Sequence, residues 1–181
     1  EGFVDPALAG SYIALERKEG LIGDAVGAAI VVSPNLAVTN AHNANLILEG
    51  DIVARSSQYD LLFFRTNFAQ PVTSAEPRMG QQVVAYGNSG GNERREARGI
   101  IEALAPTAEN CPACPAGTGF TYQAPAGPGF SGGPVVDAES GAVLGLTFAY
   151  IDSPLERGDP RLMLAYTMAQ IRAEMVRLML P

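Results

Sequence analysis

The sequence predicts an all-β protein that folds into two antiparallel β-barrels and ends in an α-helix. Short apolar runs follow one another along the 181 residues, with glycines and prolines, 20 and 13 in number, between many of them. No segment with helical periodicity lies between these runs, so crossover helices and a parallel sheet are not expected. The one helical pattern stands at the end of the chain.

The strand-like runs are assigned in order to a first and a second barrel. They lie near residues 11–17, 26–33, 36–39, 46–55, 61–66, 81–87, 97–104, 119–124, 134–137, 142–150 and 161–166. Pro71 and Pro77 interrupt residues 67–77, where we place the boundary between the barrels. The first barrel is therefore assigned to residues 1–70 and the second to residues 71–181.

The C-terminal helix is predicted at about residues 167–179. Thr167 can cap its N-terminus, and Gln170 stands three residues later, as in a capping box. Apolar side chains recur at helical spacing opposite charged ones. The apolar stripe contains Met168, Ile171, Met175, Leu178 and Met179. We expect this stripe to dock on the barrels rather than to form a binding groove.

A glycine-rich turn, Gly127-Pro-Gly-Phe-Ser-Gly-Gly-Pro134, is the main functional motif. It places Ser131 next to a predicted strand, where a hydroxyl can be an exposed nucleophile. Glycine permits positive φ, which can aim successive amide N–H groups into one small space. The N–H groups of Gly129 and Ser131 would then form an oxyanion hole for a substrate carbonyl. A plain loop between strands is the alternative.

The single histidine supplies the base that a nucleophilic serine needs. His42 follows an apolar strand-like run, and imidazole is the side chain best suited to accept a proton near neutral pH. A carboxylate must then orient the imidazole. Asp60 opens a buried run and is the first candidate, and Asp51, which opens another run, is its rival.

The order His42, Asp60, Ser131 along the chain separates three folds that build the same constellation. α/β-Hydrolases follow the order Ser, Asp, His, and subtilisins follow the order Asp, His, Ser. With these residues the chain resembles a trypsin-like serine protease. It is closest in style to bacterial HtrA-type and related trypsin-like peptidase domains.

The resemblance covers nearly the whole chain through segments in the same order. Gly27 to His42 resembles the part that delivers the catalytic histidine, and Asp60-Leu-Leu-Phe-Phe-Arg65 resembles the strand that opens with the family's aspartate. Residues 80–91, 98–101 and 141–147 are similar to strands of the second barrel. The resemblance implies a chymotrypsin-like fold of two six-stranded-type barrels, here trimmed. It also implies a serine endopeptidase that works through an acyl-enzyme on a triad of His42, Asp60 and Ser131.

Two departures from the family pattern have consequences. Phe130 stands where zymogen-activated trypsins carry an aspartate that pairs with a newly cut N-terminus, so we expect packing or a partner to hold the oxyanion turn. Asp60 follows His42 after only 18 residues, which predicts a trimmed first barrel. These departures leave one alternative open, a catalytically inactive or latent trypsin-like scaffold that binds peptides or proteins.

The family pattern also locates the pocket for the substrate residue before the scissile bond. Pro125 falls at the base of this pocket, and its walls come from the segment that contains Phe148 and Tyr150. No acidic residue stands at the base. We therefore expect no preference for Lys or Arg. We also expect a weak preference for small or medium apolar residues, since Tyr150 stands where deep pockets of the family have glycine.

Cys111 and Cys114 lie in a proline-rich loop, residues 105–119, that precedes the nucleophile. Two cysteines are half of the ligands that a structural zinc prefers, and the histidine is already assigned, so no metal or other cofactor is expected. We prefer a local disulfide that shapes the loop beside the substrate cleft. Two free thiols in a reducing compartment are the alternative.

The net charge of −7 argues against nucleic-acid and anionic-membrane partners, since no basic field is present to capture phosphates. A peptide or protein substrate is the expected partner, and the oligomeric state stays open. No apolar run is long enough for a transmembrane segment. The chain begins at Glu1, which removal of a signal peptide or trimming of the chain would explain. With the cysteine pair, this favours a periplasmic or secreted protein over a cytoplasmic one.

Overall fold

The computed structural model describes residues 2–18, 24–91, 93–151 and 159–181. Its strands are β1 (Tyr12–Lys18), β2 (Asp24–Ser33), β3 (Leu36–Thr39), β4 (Ile52–Arg55), β5 (Leu62–Arg65), β6 (Gln82–Gly90), β7 (Glu93–Leu104), β8 (Phe120–Ala124), β9 (Pro134–Asp137), β10 (Val143–Ile151) and β11 (Arg161–Thr167). The helix α1 spans Met168–Arg177. The prediction of an all-β fold with a C-terminal helix is confirmed.

The strands form two antiparallel units. β6 to β11 close into a six-stranded barrel in the order β10-β11-β8-β7-β6-β9. β1 to β5 form a five-stranded sheet in the order β1-β2-β3-β5-β4. The N-terminal unit is thus smaller than a six-stranded barrel. One reason is that the predicted run 46–55 becomes a strand only from Ile52: the 3₁₀ turn Ala41–Leu46 ends at its first residue, and Glu49–Asp51 forms a second 3₁₀ turn.

The largest apolar cluster lies between the sheet and the barrel. Side chains from both units are buried in it, among them Ile30, Val38 and Phe63 from the sheet and Tyr86, Leu146 and Tyr166 from the barrel. Burial of such large side chains fixes the two units against each other. A site at this seam can therefore combine side chains from both units.

The C-terminal helix has the predicted capping box. The Thr167 hydroxyl accepts a hydrogen bond from the Gln170 N–H (3.0 Å), and the Gln170 side-chain oxygen accepts one from the Thr167 N–H (2.9 Å). Met175 is buried against the barrel, as predicted, but Met179 lies beyond the helix and is 90% exposed. The docking stripe therefore ends earlier than predicted. Within the described ranges, no helix is both long and apolar enough to cross a membrane.

The carboxylate of Asp137 closes the turn between β9 and β10. It accepts hydrogen bonds from the Ser140 N–H (2.8 Å), the Gln81 side-chain amide (2.8 Å) and the Glu139 N–H (3.2 Å). These bonds, chiefly the one from the Ser140 backbone, lower the pKa of Asp137 to about 2. Because the pKa is depressed in the folded state, the ionised carboxylate stabilises the fold above its ordinary pKa. This contribution is lost as the pH falls toward about 2.

We expect Asp137→Ala to lower the free energy of unfolding at neutral pH by about 1–2 kcal/mol. Urea unfolding at neutral pH and near pH 2 should show this difference shrinking on acidification, since the folded state loses the advantage of its ionised carboxylate as the pH approaches the pKa of about 2. Glu139→Ala is the matched control, because the Glu139 side chain is exposed and the turn depends on its backbone N–H alone. A difference that stays constant with pH would contradict the role of the ionised carboxylate.

Candidate active site

His42 and Asp60 meet at the ends of two paired strands. β3 and β5 are neighbours, with Thr39 opposite Leu62, so the residues just beyond these positions are held side by side. His42 Nδ1 lies 2.5 Å from Asp60 Oδ2, and the His42 backbone N–H donates to Asp60 Oδ1 (3.0 Å). The carboxylate therefore orients both the ring and the backbone of His42. With the Nδ1 proton donated to Asp60, Nε2 is left to accept a proton.

Asp51, the rival carboxylate, has a different position. It ends the second 3₁₀ turn, and its backbone N–H donates to the Leu48 carbonyl (2.9 Å). Among the described residues, the hydrogen bonds and ion pair of His42 involve Asp60 and not Asp51. The carboxylate that the structure brings to the imidazole is therefore Asp60.

Two polar side chains hold the backbone of Asp60. Tyr166 accepts a hydrogen bond from the Asp60 N–H on its hydroxyl (2.9 Å), and the Asn40 side-chain amide donates to the Asp60 carbonyl (3.0 Å). The Tyr166 ring stacks on Phe148, with 4.1 Å between the ring centres. Burial raises the pKa of Tyr166 to about 12, so the hydroxyl stays neutral beside the carboxylate.

The turn that carries Ser131 is attached to the N-terminal sheet. The Ser131 carbonyl accepts hydrogen bonds from the Ala28 N–H (3.0 Å) and from the side-chain amide of Asn43 (3.1 Å). Asn43 is buried and follows His42 directly, and its amide also contacts the Thr39 hydroxyl (3.1 Å). The serine and the histidine are therefore linked through Asn43. In the described part of the chain, the Ser131 hydroxyl and the His42 ring form no hydrogen bond with each other.

Two amide N–H groups of this turn have no hydrogen-bond acceptor among the described residues. Gly129 (φ +92°) and Gly132 (φ +83°) adopt the left-handed backbone that favours glycine. The N–H groups of Phe130 and Gly132 donate to backbone carbonyls (3.2 and 2.8 Å). Those of Gly129 and Ser131 donate to no acceptor among the described residues. The turn thus leaves unpaired the two donors that sequence analysis assigned to an oxyanion hole.

Phe130 holds the turn by packing. Its ring is fully buried in the barrel core and lies against Gly87, where a Cβ would come within 2.7 Å of the ring. The Arg95 guanidinium lies 5.3 Å from the centre of the ring. The phenyl ring thus anchors the turn from within the barrel by packing.

The three residues assigned to a specificity pocket have different surroundings. Pro125 is exposed just after β8. Phe148 is buried against Tyr166, so its ring supports the Asp60 region. Tyr150 is half-buried on the barrel, and the guanidinium carbon of Arg161 lies 5.1 Å from its ring centre. Among the described residues, the charged contact found for these three side chains is that of Tyr150 with Arg161.

The structure joins Cys111 and Cys114 in a disulfide. The loop that contains the disulfide lies against the residue before Asp60. A Cβ on Gly117 would come within 2.9 Å of the Tyr59 ring, and Tyr59 directly precedes Asp60. The Gly117 carbonyl also accepts a hydrogen bond from the Gln170 side chain (2.7 Å). The loop therefore packs between the helix and the segment that presents Asp60.

Sequence reasoning missed three residues of this site, Asn43, Tyr166 and Arg161. Asn43 could have been suspected because it is a polar residue next to the single histidine. Tyr166 and Arg161 lie on β11 in a run that reads as an ordinary strand, and Tyr166 is 106 positions from Asp60. Only the pairing of the strands reveals these two contacts.

We expect Tyr166→Phe to lower kcat for peptide hydrolysis roughly 3- to 10-fold with little change in KM, as loss of one positioning hydrogen bond implies. The ring that stacks on Phe148 is retained, so the effect isolates the bond to Asp60. Tyr86→Phe is the matched control, because Tyr86 also accepts a backbone N–H on its hydroxyl, that of Val4 (2.9 Å), away from the site. Steady-state kinetics of both variants test this, and equal losses in the two would count against a positioning role.

The closed barrel, the smaller sheet and the site between them define the class of chymotrypsin-like β proteins. The sequence profile of the trypsin-like peptidase domain matches residues 44–146, which is more than half of the chain. The chain belongs to the trypsin-like peptidase family. The matched residues include Asp60 and Ser131 and begin just after His42. A comparison with curated proteins finds no significant match.

Solved structures share the fold. The HtrA-type protease AlgW with a tripeptide has a TM-score of 0.70 and 21% identity, over 91% of this chain and 58% of AlgW. The active form of the Rv3671c protease from M. tuberculosis has a TM-score of 0.68 and 20% identity, over 96% of this chain and 82% of Rv3671c. The chain thus corresponds to a little over half of the length of AlgW. At these identities the likeness concerns the fold.

Proposed function

We propose that the protein is a serine endopeptidase that hydrolyses peptide bonds through Ser131, His42 and Asp60. The observation that carries this proposal is the 2.5 Å contact between His42 and Asp60, beside a turn that contains Ser131 and two unpaired amides. A fixed imidazole, a hydroxyl and free N–H donors are the parts that acyl transfer requires.

In this mechanism the Ser131 oxygen forms a bond to the substrate carbonyl carbon and gives its proton to His42 Nε2. The carbonyl oxygen becomes negative and accepts hydrogen bonds from the Gly129 and Ser131 N–H groups. The C–N bond then breaks, and the leaving nitrogen takes the proton from His42. Water attacks the acyl-enzyme through the same base and releases Ser131 and the product acid.

A fluorophosphonate probe tests the proposal, because it bonds covalently to an activated serine. We expect one adduct per chain in the wild type, located on Ser131 by peptide mapping. No adduct is expected in Ser131→Ala or in unfolded protein. An adduct on another residue, or no adduct at any protein concentration, would contradict the endopeptidase proposal.

A latent enzyme is the second candidate, and the missing hydrogen bond between Ser131 and His42 favours it. Such bonds are often loose in ligand-free enzymes and tighten with substrate. If a second copy or another partner must order the turn, labelling should rise more steeply than in proportion to protein concentration. Labelling in simple proportion would exclude self-association as the trigger. Absence of labelling together with intact peptide binding would indicate a binding scaffold.

We also propose a periplasmic or secreted location, because the bond between Cys111 and Cys114 persists in oxidising compartments. Thiol titration of the protein as isolated from its source should find both cysteines bonded. Two free thiols would instead favour the cytoplasm.

A further inference from the structure

Arg161 lies where strand ends of the barrel meet the turn that carries Ser131. It opens β11 and pairs with Ala124, the last residue of β8. Its Nη1 donates a hydrogen bond to the Ala126 carbonyl (3.1 Å), and the guanidinium carbon lies 5.1 Å from the centre of the Tyr150 ring. These contacts place a cation between the segment that leads to the nucleophile and the end of β10.

The Arg161 guanidinium contacts the short turn that leads to Ser131. It rests against Gly127, since a Cβ on that glycine would collide with Arg161 Nη1. The Phe130 N–H donates to the Gly127 carbonyl (3.2 Å), and such a turn keeps the two Cα atoms within about 7 Å. Ser131 is the next residue. The side chain of a substrate residue bound at Ser131 is therefore long enough to reach the Arg161 guanidinium.

The contacts of Arg161 with the described residues include no anion. A guanidinium is permanently charged and carries five N–H donors, and its described hydrogen bond goes to a neutral carbonyl. Its Nε is buried and has no hydrogen-bond partner among the described residues. No salt bridge links it to a carboxylate among the described residues. Arg161 is half-buried, and a ligand carboxylate would supply a charged partner that the described residues do not provide.

Resting on the proposed endopeptidase function, we propose that Arg161 selects an aspartate or glutamate in the substrate residue whose carbonyl Ser131 attacks. When that carbonyl oxygen binds the Gly129 and Ser131 N–H groups, the attached side chain starts beside residues 127–129. A carboxylate at its end can accept charge-assisted hydrogen bonds from the guanidinium. This specificity differs from the weak preference for small or medium apolar residues expected from Tyr150, and the exposed Pro125 contributes no charge to it.

Peptide reporters that differ only in the residue before the cleaved bond test this selection. We expect kcat/KM to be at least about tenfold higher for the Glu reporter than for the Gln reporter, and likewise for Asp than for Asn, as charge-assisted bonds imply. Val and Lys reporters should be slower than Glu. Arg161→Gln should bring the Glu-to-Gln ratio near one, and Arg161→Glu should make Lys faster than Glu. Arg172→Ala is the matched control, because Arg172 donates to the Ser74 hydroxyl on another face and should leave the ratio unchanged.

Rates are divided by the number of active sites titrated with the fluorophosphonate, which removes effects of partial unfolding. If Arg161→Gln does not fold, Arg161→Lys keeps the cation and should retain a reduced acidic preference. A labelled wild type that cleaves Glu no faster than Gln would overturn the role of Arg161. An unchanged ratio in Arg161→Gln would do so too, and would leave Arg161 as a clamp on the Ala126 carbonyl.

A binding measurement separates this inference from the proposed function. Ser131→Ala should bind peptides that end in Glu at least about tenfold more tightly than those that end in Gln, and Arg161→Gln on the same background should abolish the difference. This readout does not need turnover. Tight acidic binding without fluorophosphonate labelling of the wild type would refute the endopeptidase and support the selection. Equal binding of both peptides, with normal labelling, would refute the selection alone.

Discussion

Replacement of Ser131 or of His42 by alanine is expected to lower kcat for peptide hydrolysis by about 10⁶ without unfolding the protein. Without the hydroxyl no acyl-enzyme can form, and without the imidazole no base accepts its proton. Residues that act as one unit give losses that do not add. The double variant Ser131→Ala/His42→Ala should therefore be no slower than either single variant.

The measurement is single-turnover kinetics on a peptide reporter, with thermal unfolding as the check on the fold. Ser89→Ala is the matched control, because Ser89 also precedes two glycines, Gly90 and Gly91, and its exposed side chain bonds the Glu93 carbonyl (3.1 Å). It should keep wild-type kcat. Losses that multiply in the double variant would show that Ser131 and His42 do not act together.

Asp60→Asn is expected to lower kcat by about 10⁴. An amide at this position can donate to His42 Nδ1, which would move the ring proton to Nε2 and remove the base that Ser131 needs. The amide would retain most of the volume of the carboxylate, so the loss should come from the tautomer and the missing charge. Kinetics with Asp51→Asn give the comparison, and this variant should stay within about twofold of wild type.

A collapse of the rate in Asp51→Asn, with Asp60→Asn active, would reverse the assignment of the acid. Equal, moderate losses in both variants would show that neither carboxylate has a specific role in orienting the imidazole.

Features specified by neighbouring residues could be predicted from the sequence. The capping box joins Thr167 to Gln170 over three positions, and the structure contains both of its hydrogen bonds. The 3₁₀ turn Ala41–Leu46, which carries His42, was not predicted, and the strand predicted for 46–55 begins only at Ile52.

Contacts between distant segments needed the fold. Asp51 and Asp60 both open apolar runs, so periodicity alone could not separate them, and the pairing of β3 with β5 is what brings Asp60 to His42. Tyr166 and Arg161 lie on β11, and one contacts the acid while the other contacts the turn before the nucleophile. These contacts follow from strand order, which no local pattern encodes.

An experimental structure of the fluorophosphonate-treated enzyme tests the cooperation of Ser131, His42 and Asp60 most directly. We predict that phosphorus is bonded to the Ser131 oxygen and that a phosphonyl oxygen accepts hydrogen bonds from the Gly129 and Ser131 N–H groups. His42 Nε2 should lie about 3 Å from the modified oxygen, with Asp60 still bonded to Nδ1. A modified Ser131 whose oxygen remains out of reach of His42, or an adduct elsewhere, would contradict it.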